Sequence, residues 1–346
     1  MQNTCTTPQK AELTMLLSIV IPHYNLPREM LKRCIDSIIE QALPNGTYEI
    51  IIVDDGSEEQ PLWLCNEYKN YKIKLINNNH GGPGHARNRG IEEAQGKYIQ
   101  FVDADDYLFP NGDMLQCIAM LESERPQILR FGYIVKTDDR PDTIRPHKVN
   151  FSNTISGAVF MRDNNLSGSP CTYFFQRSLA IDNCIRFPEG IFHEDEEFNT
   201  LLHYHAQTLV ASDAKPYCYR IREGSTTANS SSEFEKRRID NMFTIIERVA
   251  AYRSTHTAGA NIIQRAGITH KLHTLCVDVI LNMMFNGMRA DEIYDECESH
   301  LKPLGLFPLA NADYSFKYRI FRSLANSRTG MKILRLIVPR KKPTKR

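Results

Sequence analysis

Asp103 and Asp105 sit one residue apart, just after the apolar run Tyr98-Ile99-Gln100-Phe101-Val102. Leaving a strand for a loop, two such carboxylates can face one hard cation, Mn²⁺ or Mg²⁺, which substrate phosphates would also ligate. Acids are common in loops and at helix N-caps, so this tripeptide alone defines no site. A second acidic pair, Asp54-Asp55, ends the apolar run Ile50-Ile51-Ile52-Val53. One of its carboxylates, Asp54 by preference, can accept a hydrogen bond from a ligand N–H such as a nucleobase imide. The alternative is an Asx-turn or cap, which Ser57 could also serve. The stretch from Gly81 to Gly90, GGPGHARNRG, carries glycines that admit a close ligand before a helix N-terminus, and Arg87 adds a cation there. A dinucleotide fingerprint would need a third glycine where Arg87 stands, and no G-K-[S/T] is present. Glu194-Asp195-Glu196-Glu197 reads either as a solvated helix N-terminus or as a carboxylate held at a cleft edge as general base. Arg220 and Arg222, beside Gly224, read as surface ion-pair partners or as cations closing over a departing diphosphate.

These residues need a scaffold. Leu16–Pro22, Tyr48–Val53, Ile73–Ile76 and Tyr98–Val102 are short apolar runs, the signature of strands buried on both faces. Between them, Arg28–Gln41, about Gln60–Asn70 and Ala86–Ala94 show helical spacing. Alternating strands and helices predict a parallel sheet, whose ligands bind beyond the strand C-termini. Pro22-His23-Tyr24-Asn25, Asp54-Asp55, the glycine loop and Asp103–Asp105 all fall at such ends. Further strands are expected at Gln127–Lys136, Cys171–Phe175 and Tyr217–Arg222, with a helix at Glu196–His205. The Ser/Thr-rich stretch Ser225–Ser232 reads as a linker. Phe234–Arg253 and Ile262–Phe285 are expected to be helical.

The 346 residues suit about two domains. With 42% apolar and 24% charged residues, a disordered or collagen-like chain is excluded. Nine cysteines without C-x-x-C spacing suggest neither a zinc site nor a disulfide framework, and point to a cytoplasmic chain with free thiols. The net charge of +1 hides an asymmetry: residues 314–346 hold 11 Lys/Arg and no Asp/Glu, whereas the preceding 313 hold 31 Lys/Arg against 41 Asp/Glu.

Taken together, the motifs resemble those of family-2 glycosyltransferases. The elements carrying the resemblance are SIVIPHYN from Ser18 to Asn25, VDDGS from Val53 to Ser57, the Gly81–Gly90 loop, FVDADD from Phe101 to Asp106, and Glu194-Asp195. They run in family order from about Thr14 to Thr227. His80, where the family often has Asn, is a departure. The resemblance implies an α/β GT-A, Rossmann-like fold: a mixed, mostly parallel sheet flanked by helices, here with a C-terminal helical region. It implies that Pro22, Tyr24 and Asp54 hold the base, usually uracil. Arg87 would lie near base or phosphates and Asp103 near the ribose. Asp105 would bind the metal, and Asp195 would deprotonate an acceptor hydroxyl in an inverting displacement. The setting it implies is cell-surface polysaccharide assembly, on a glycan or lipid-linked acceptor.

The expected division is 14–230 for the glycosyltransferase domain, 231–313 for a helical region and 314–346 for a basic amphipathic tail. That tail suits an anionic membrane surface, which would place the chain on the inner face of the cell membrane. Aromatic residues are not interleaved with the basic ones as stacking platforms, so no nucleic-acid partner is expected. Competing readings are a D-x-D phosphohydrolase, a nucleotide-sugar nucleotidyltransferase and a non-catalytic binding protein. The first expects Thr or Val where Tyr107 stands and places its motif on the first strand. The second expects a glycine-rich basic loop where Pro22-His23-Tyr24-Asn25 stands. Retention of both Asp105 and Asp195 argues against the third.

Overall fold

A computed structural model describes residues 15–137, 140–145, 153–166, 169–221, 231–256 and 258–339. Arg222, most of the Ser225–Ser232 stretch and residues 340–346 lie outside the described residues. In chain order the first elements are β1 (Leu17–His23), α1 (Arg28–Ile39), β2 (Tyr48–Asp54), α2 (Leu64–Glu67), β3 (Ile73–Asn77), α3 (Pro83–Glu93), β4 (Tyr98–Phe101), β5 (Tyr107–Leu108) and α4 (Asp113–Ser123). Then come β6 (Ile128–Arg130), β7 (Tyr133–Thr137), β8 (Arg140–Arg145), α5 (Gly157–Asp163), β9 (Tyr173–Gln176), α6 (Arg177–Asp182), α7 (Glu194–His205), β10 (Leu209–Ala211) and β11 (Tyr217–Ile221). Five helices follow: α8 (Ser232–His256), α9 (Ile262–Phe285), α10 (Ala290–Glu296), α11 (Phe316–Ala325) and α12 (Arg328–Ile337).

A seven-stranded sheet has the order β10-β6-β9-β4-β1-β2-β3, and only β9 runs antiparallel to its neighbours. The four-stranded sheet β5-β11-β7-β8 lies beside it. This is the mixed, mostly parallel α/β architecture with C-terminal helices expected from the sequence. Every residue of β2 is buried, as a central parallel strand covered on both faces requires. Burying an aliphatic side chain such as Ile51 or Val53 contributes about 1.5–3 kcal/mol. The hydrophobic cluster is continuous from Leu17 to Leu334, so the C-terminal helices share the core of the sheet.

Two expectations differ in detail. Gln127–Lys136 is not one strand. Ile128–Arg130 joins the large sheet and Tyr133–Thr137 the small one, with Gly132 N–H turned to the Ala214 carbonyl between them. The helix expected at about Gln60–Asn70 is only one turn, Leu64–Glu67.

Register sets the rim. His23 lies opposite Asp54, and Asp54 opposite Asn77, so the C-terminal ends of β1, β2 and β3 are level. Close packing of α3 on β1 requires glycine at position 90, where a Cβ would come within 2.2 Å of Val20 Cγ1.

Candidate active site

The acidic pairs divide their labour. Asp54 is fully buried and accepts a 2.5 Å hydrogen bond from Ser57 Oγ, which also accepts from the Asn25 N–H at 2.9 Å. Ser57 thereby ties the end of β1 to that of β2. The other Asp54 oxygen, Oδ2, is buried with no hydrogen-bond partner among the described residues. A buried acceptor left unpaired is costly, so a ligand donor there would recover a large interaction. His23 Nε2 lies 4.0 Å from Asp54, and burial holds the His23 pKa below its ordinary value despite that carboxylate.

Successive side chains of a strand point to opposite faces, so Asp55 cannot share the task of Asp54. It accepts from the Gly81 N–H at 3.1 and 3.2 Å and from the Gly82 N–H at 2.7 Å, with His80 Nδ1 at 2.9 Å. Asp55 thus clamps the glycine loop, and His80 stacks on the half-exposed ring of Tyr24 with centroids 4.2 Å apart. Pro22 sits within β1 opposite Val53. Two glycines of the loop have separate duties. Gly82 adopts φ +88°, with open space where a Cβ would point, whereas a Cβ on Gly84 would meet the Pro188 carbonyl at 2.8 Å.

Beyond β4, Asp103 is about one-third exposed and takes a 3.0 Å bond from Arg87 Nη2. Arg87 Nη1 donates to Glu194 at 2.9 Å. Arg87, expected near the base or phosphates, is buried and bridges the D-x-D loop to the start of α7. Burial works against its charge, but Asp103 and Glu194 overcome that and raise its pKa. Asp105 is partly exposed at the rim. Asp106 is buried and accepts from the Tyr217 hydroxyl and, at 2.7 Å, from the backbone N–H of Arg220. Burial and the charge of Asp103 push the Asp106 pKa well up. Asp106 therefore fixes β11, and with it Arg220, against the acidic loop.

The four acids of α7 end differently from one another. Their charges suit a helix N-terminus, which His193 enters with φ 64°. Glu194 pairs with Arg87, Glu196 with Lys271 at 2.5 Å, and Glu197 with Arg248 at 2.5 Å. Among the described residues, Asp195 alone of the four has no ion-pair partner. Burial, then the neighbouring Glu194 and Glu196, push its pKa well above the ordinary carboxylate range. On the same helical face, Asn199 accepts from the Tyr173 hydroxyl, and His203 Nε2 lies 3.1 Å from the buried Arg130.

The structure therefore joins Arg87, Asp103 and the Glu194-Asp195 turn directly, and levels Pro22 and Asp54 with them along one rim. Arg222 lies outside the described residues. The roles of Asp55, Asp106 and Glu194 were not drawn from the sequence. The signal was present: of two adjacent acids at a strand end, one must turn away from the site and find a donor.

Oxygen donors at Asp103 and Asp105 suit a hard divalent ion. Among the described residues no three His, Cys, Asp or Glu side chains form a metal cage. Mg²⁺-type ions commonly take one or two carboxylates and complete their shell with phosphate oxygens and water, so this sparse set fits.

An α/β sheet with acidic loops at its strand ends, and a carboxylate helix tied to them through Arg87, is the arrangement that the resemblance to glycosyltransferases implies. The family described as Glycosyl transferase family 2 matches residues 18–183, just under half of the chain, and that stretch is a family-2 glycosyltransferase domain. Among similar curated proteins, the poly(ribitol-phosphate) beta-N-acetylglucosaminyltransferase TarS of Staphylococcus aureus is 27% identical over 216 residues, which are 61% of this chain and 36% of that protein. The poly(ribitol-phosphate) beta-glucosyltransferase of Bacillus spizizenii is 30% identical over 222 residues, 60% of this chain and 32% of that protein. The match thus spans about a third of the length of these relatives. The crystal structure of S. aureus TarS 1–349 in complex with UDP-GlcNAc superposes with a TM-score of 0.64 at 22% identity, covering 93% of this chain and 89% of that one. That likeness shows the GT-A fold.

Proposed function

We propose that the chain moves a sugar from a UDP-linked donor to a hydroxyl of a glycan or lipid-linked acceptor, with inversion, in cell-surface polysaccharide assembly. The observation that carries this reading is Asp195. Among the described residues it is the one acid of its turn without an ion-pair partner, on the helix that Arg87 ties to the D-x-D loop. Pro22, Tyr24 and Asp54 hold the base, the buried Asp54 Oδ2 accepting its imide N–H. Asp103 meets the ribose while Arg87 fixes its carboxylate. Asp105 would hold Mn²⁺ or Mg²⁺, which would supply positive charge to offset that of the departing nucleotide. Arg220 and, by the sequence reading alone, Arg222 supply positive charge to the departing diphosphate. Asp195, its proton affinity raised, takes the acceptor proton as the hydroxyl attacks. The bound UDP-GlcNAc of the S. aureus TarS crystal supports a UDP donor. The division into 14–230, 231–313 and 314–346, and a cytoplasmic place at the inner face of the membrane, belong to the same proposal.

Assaying a panel of nucleotide sugars with Mn²⁺, with and without candidate acceptors, tests it. Acceptor-dependent release of UDP supports transfer. Release of inorganic phosphate from a phosphomonoester, or pyrophosphate exchange, would point to another class. Asp105→Ala should reduce metal-dependent donor affinity at least tenfold in calorimetry; an unchanged titration would remove the metal from Asp105.

A further inference from the structure

The C-terminal pair α11–α12 is bound to the body by one face only. Inward, Met331 and Leu334 are buried, and Gly330 is pressed against the Leu324 backbone, where a Cβ would meet the carbonyl oxygen at 2.2 Å. Ion pairs Lys332–Asp291 and Arg328–Asp295 lock α12 onto α10. Outward the pair is apolar. Ile333, Leu336 and Ile337 fall at i, i+3 and i+4 of α12, with Leu336 87% and Ile337 67% exposed. Phe316, 68% exposed, and Ile320 share one face of α11. Lys317 and Arg319 are exposed beside them.

We propose that this outward apolar face inserts into the headgroup region of an anionic lipid bilayer. The proposal rests on the transfer reading above, for which it supplies the docking surface that brings the active site to a membrane-borne acceptor. Charge selects the occupant. Residues 314–346 contain no acidic residue and 11 basic ones, so two copies meeting through this face would set like charges together. Anionic headgroups complement the same residues, each worth up to about fivefold in binding near the surface. Apolar residues flanked by cations on short amphipathic helices are the pattern of a helix lying in the interface. No described helix is long and apolar enough to cross a bilayer. Because several cations are already paired to the body, the apolar residues must supply much of the attachment. Charge patterning already marks the 314–346 tail for an anionic surface; exposure adds which of its apolar side chains face outward.

The test is co-sedimentation of the full chain with vesicles of phosphatidylcholine alone or with phosphatidylglycerol. Leu336→Ser with Ile337→Ser removes the two most exposed apolar side chains of α12 and leaves its inward face intact. The full chain should pellet with the anionic vesicles, and the double variant should bind roughly tenfold or more weakly. Melting curves and transfer to a soluble acceptor should match the unmodified chain. Equal binding by the double variant would overturn the proposal, as would no preference for anionic vesicles. A concentration-dependent dimer that the same substitutions dissolve would assign the face to a second copy instead. Loss of transfer to the soluble acceptor in the unmodified chain would strike the proposed activity and leave the vesicle result standing.

Discussion

Asp195 illustrates what a site costs its fold. Its pKa is raised by burial and by two like-charged neighbours, so the folded chain holds the proton more tightly than the unfolded chain does. Stability is then lost as pH rises from the unfolded value, about 3.9, through the folded one. Asp195→Asn removes that loss. At pH 7 the variant should melt higher, on the order of 1 °C or more, and the gap should close as pH falls toward 4. Calorimetry across that range checks it; a variant that melts lower at pH 7 would mean the carboxylate is held by stabilising contacts. Sequence spacing exposed Asp54, Asp103, Asp105 and Asp195 because acids at strand ends and helix starts are visible in one dimension. It preferred Asp54 and Asp105 but did not show what Asp55 and Asp106 do. Those assignments depend on which face of the backbone meets Gly81, Gly82 and Tyr217, groups brought there by the fold.

At the scale of elements, the parallel core was legible because β1, β2 and β4 are continuous apolar runs that end in polar clusters. The break inside Gln127–Lys136 was not, since its strands belong to different sheets and nothing local marks the change beyond Gly132. Helix α3 carries the glycine loop at one end and Arg87 along its length, so its seat on β1 governs the site. Gly90→Ala drives a methyl into Val20 and should destabilise the fold by about 1–3 kcal/mol. It should also weaken donor binding by shifting Arg87. Denaturant titration measures the first effect, and a stability equal to that of the parent would show that α3 has room to move.

For the whole molecule, near-neutral charge is the sum of an acidic body and a basic end. Asp54, Asp103 and Asp105 of the body stand at the sheet rim, while Lys317 and Arg319 are exposed beside the outward apolar residues of α11. The core runs unbroken between them, from Leu17 to Leu334. Donor binding at the rim should therefore stabilise the described body as one unit. A UDP-sugar with Mn²⁺ at a hundredfold excess over Kd should add about 2.7 kcal/mol, seen as a single melting transition moved upward. Two transitions, with only the first moved, would show that the C-terminal helices melt separately.

The central claim is that Asp195 deprotonates the acceptor while the rest of the rim binds the donor. The most direct measurement pairs donor affinity with turnover in Asp195→Asn. Donor Kd with Mn²⁺ should stay within about threefold of the parent value, and kcat for acceptor-dependent transfer should fall by roughly 10²–10⁴. Turnover at the parent rate in a variant that still binds donor would contradict the account.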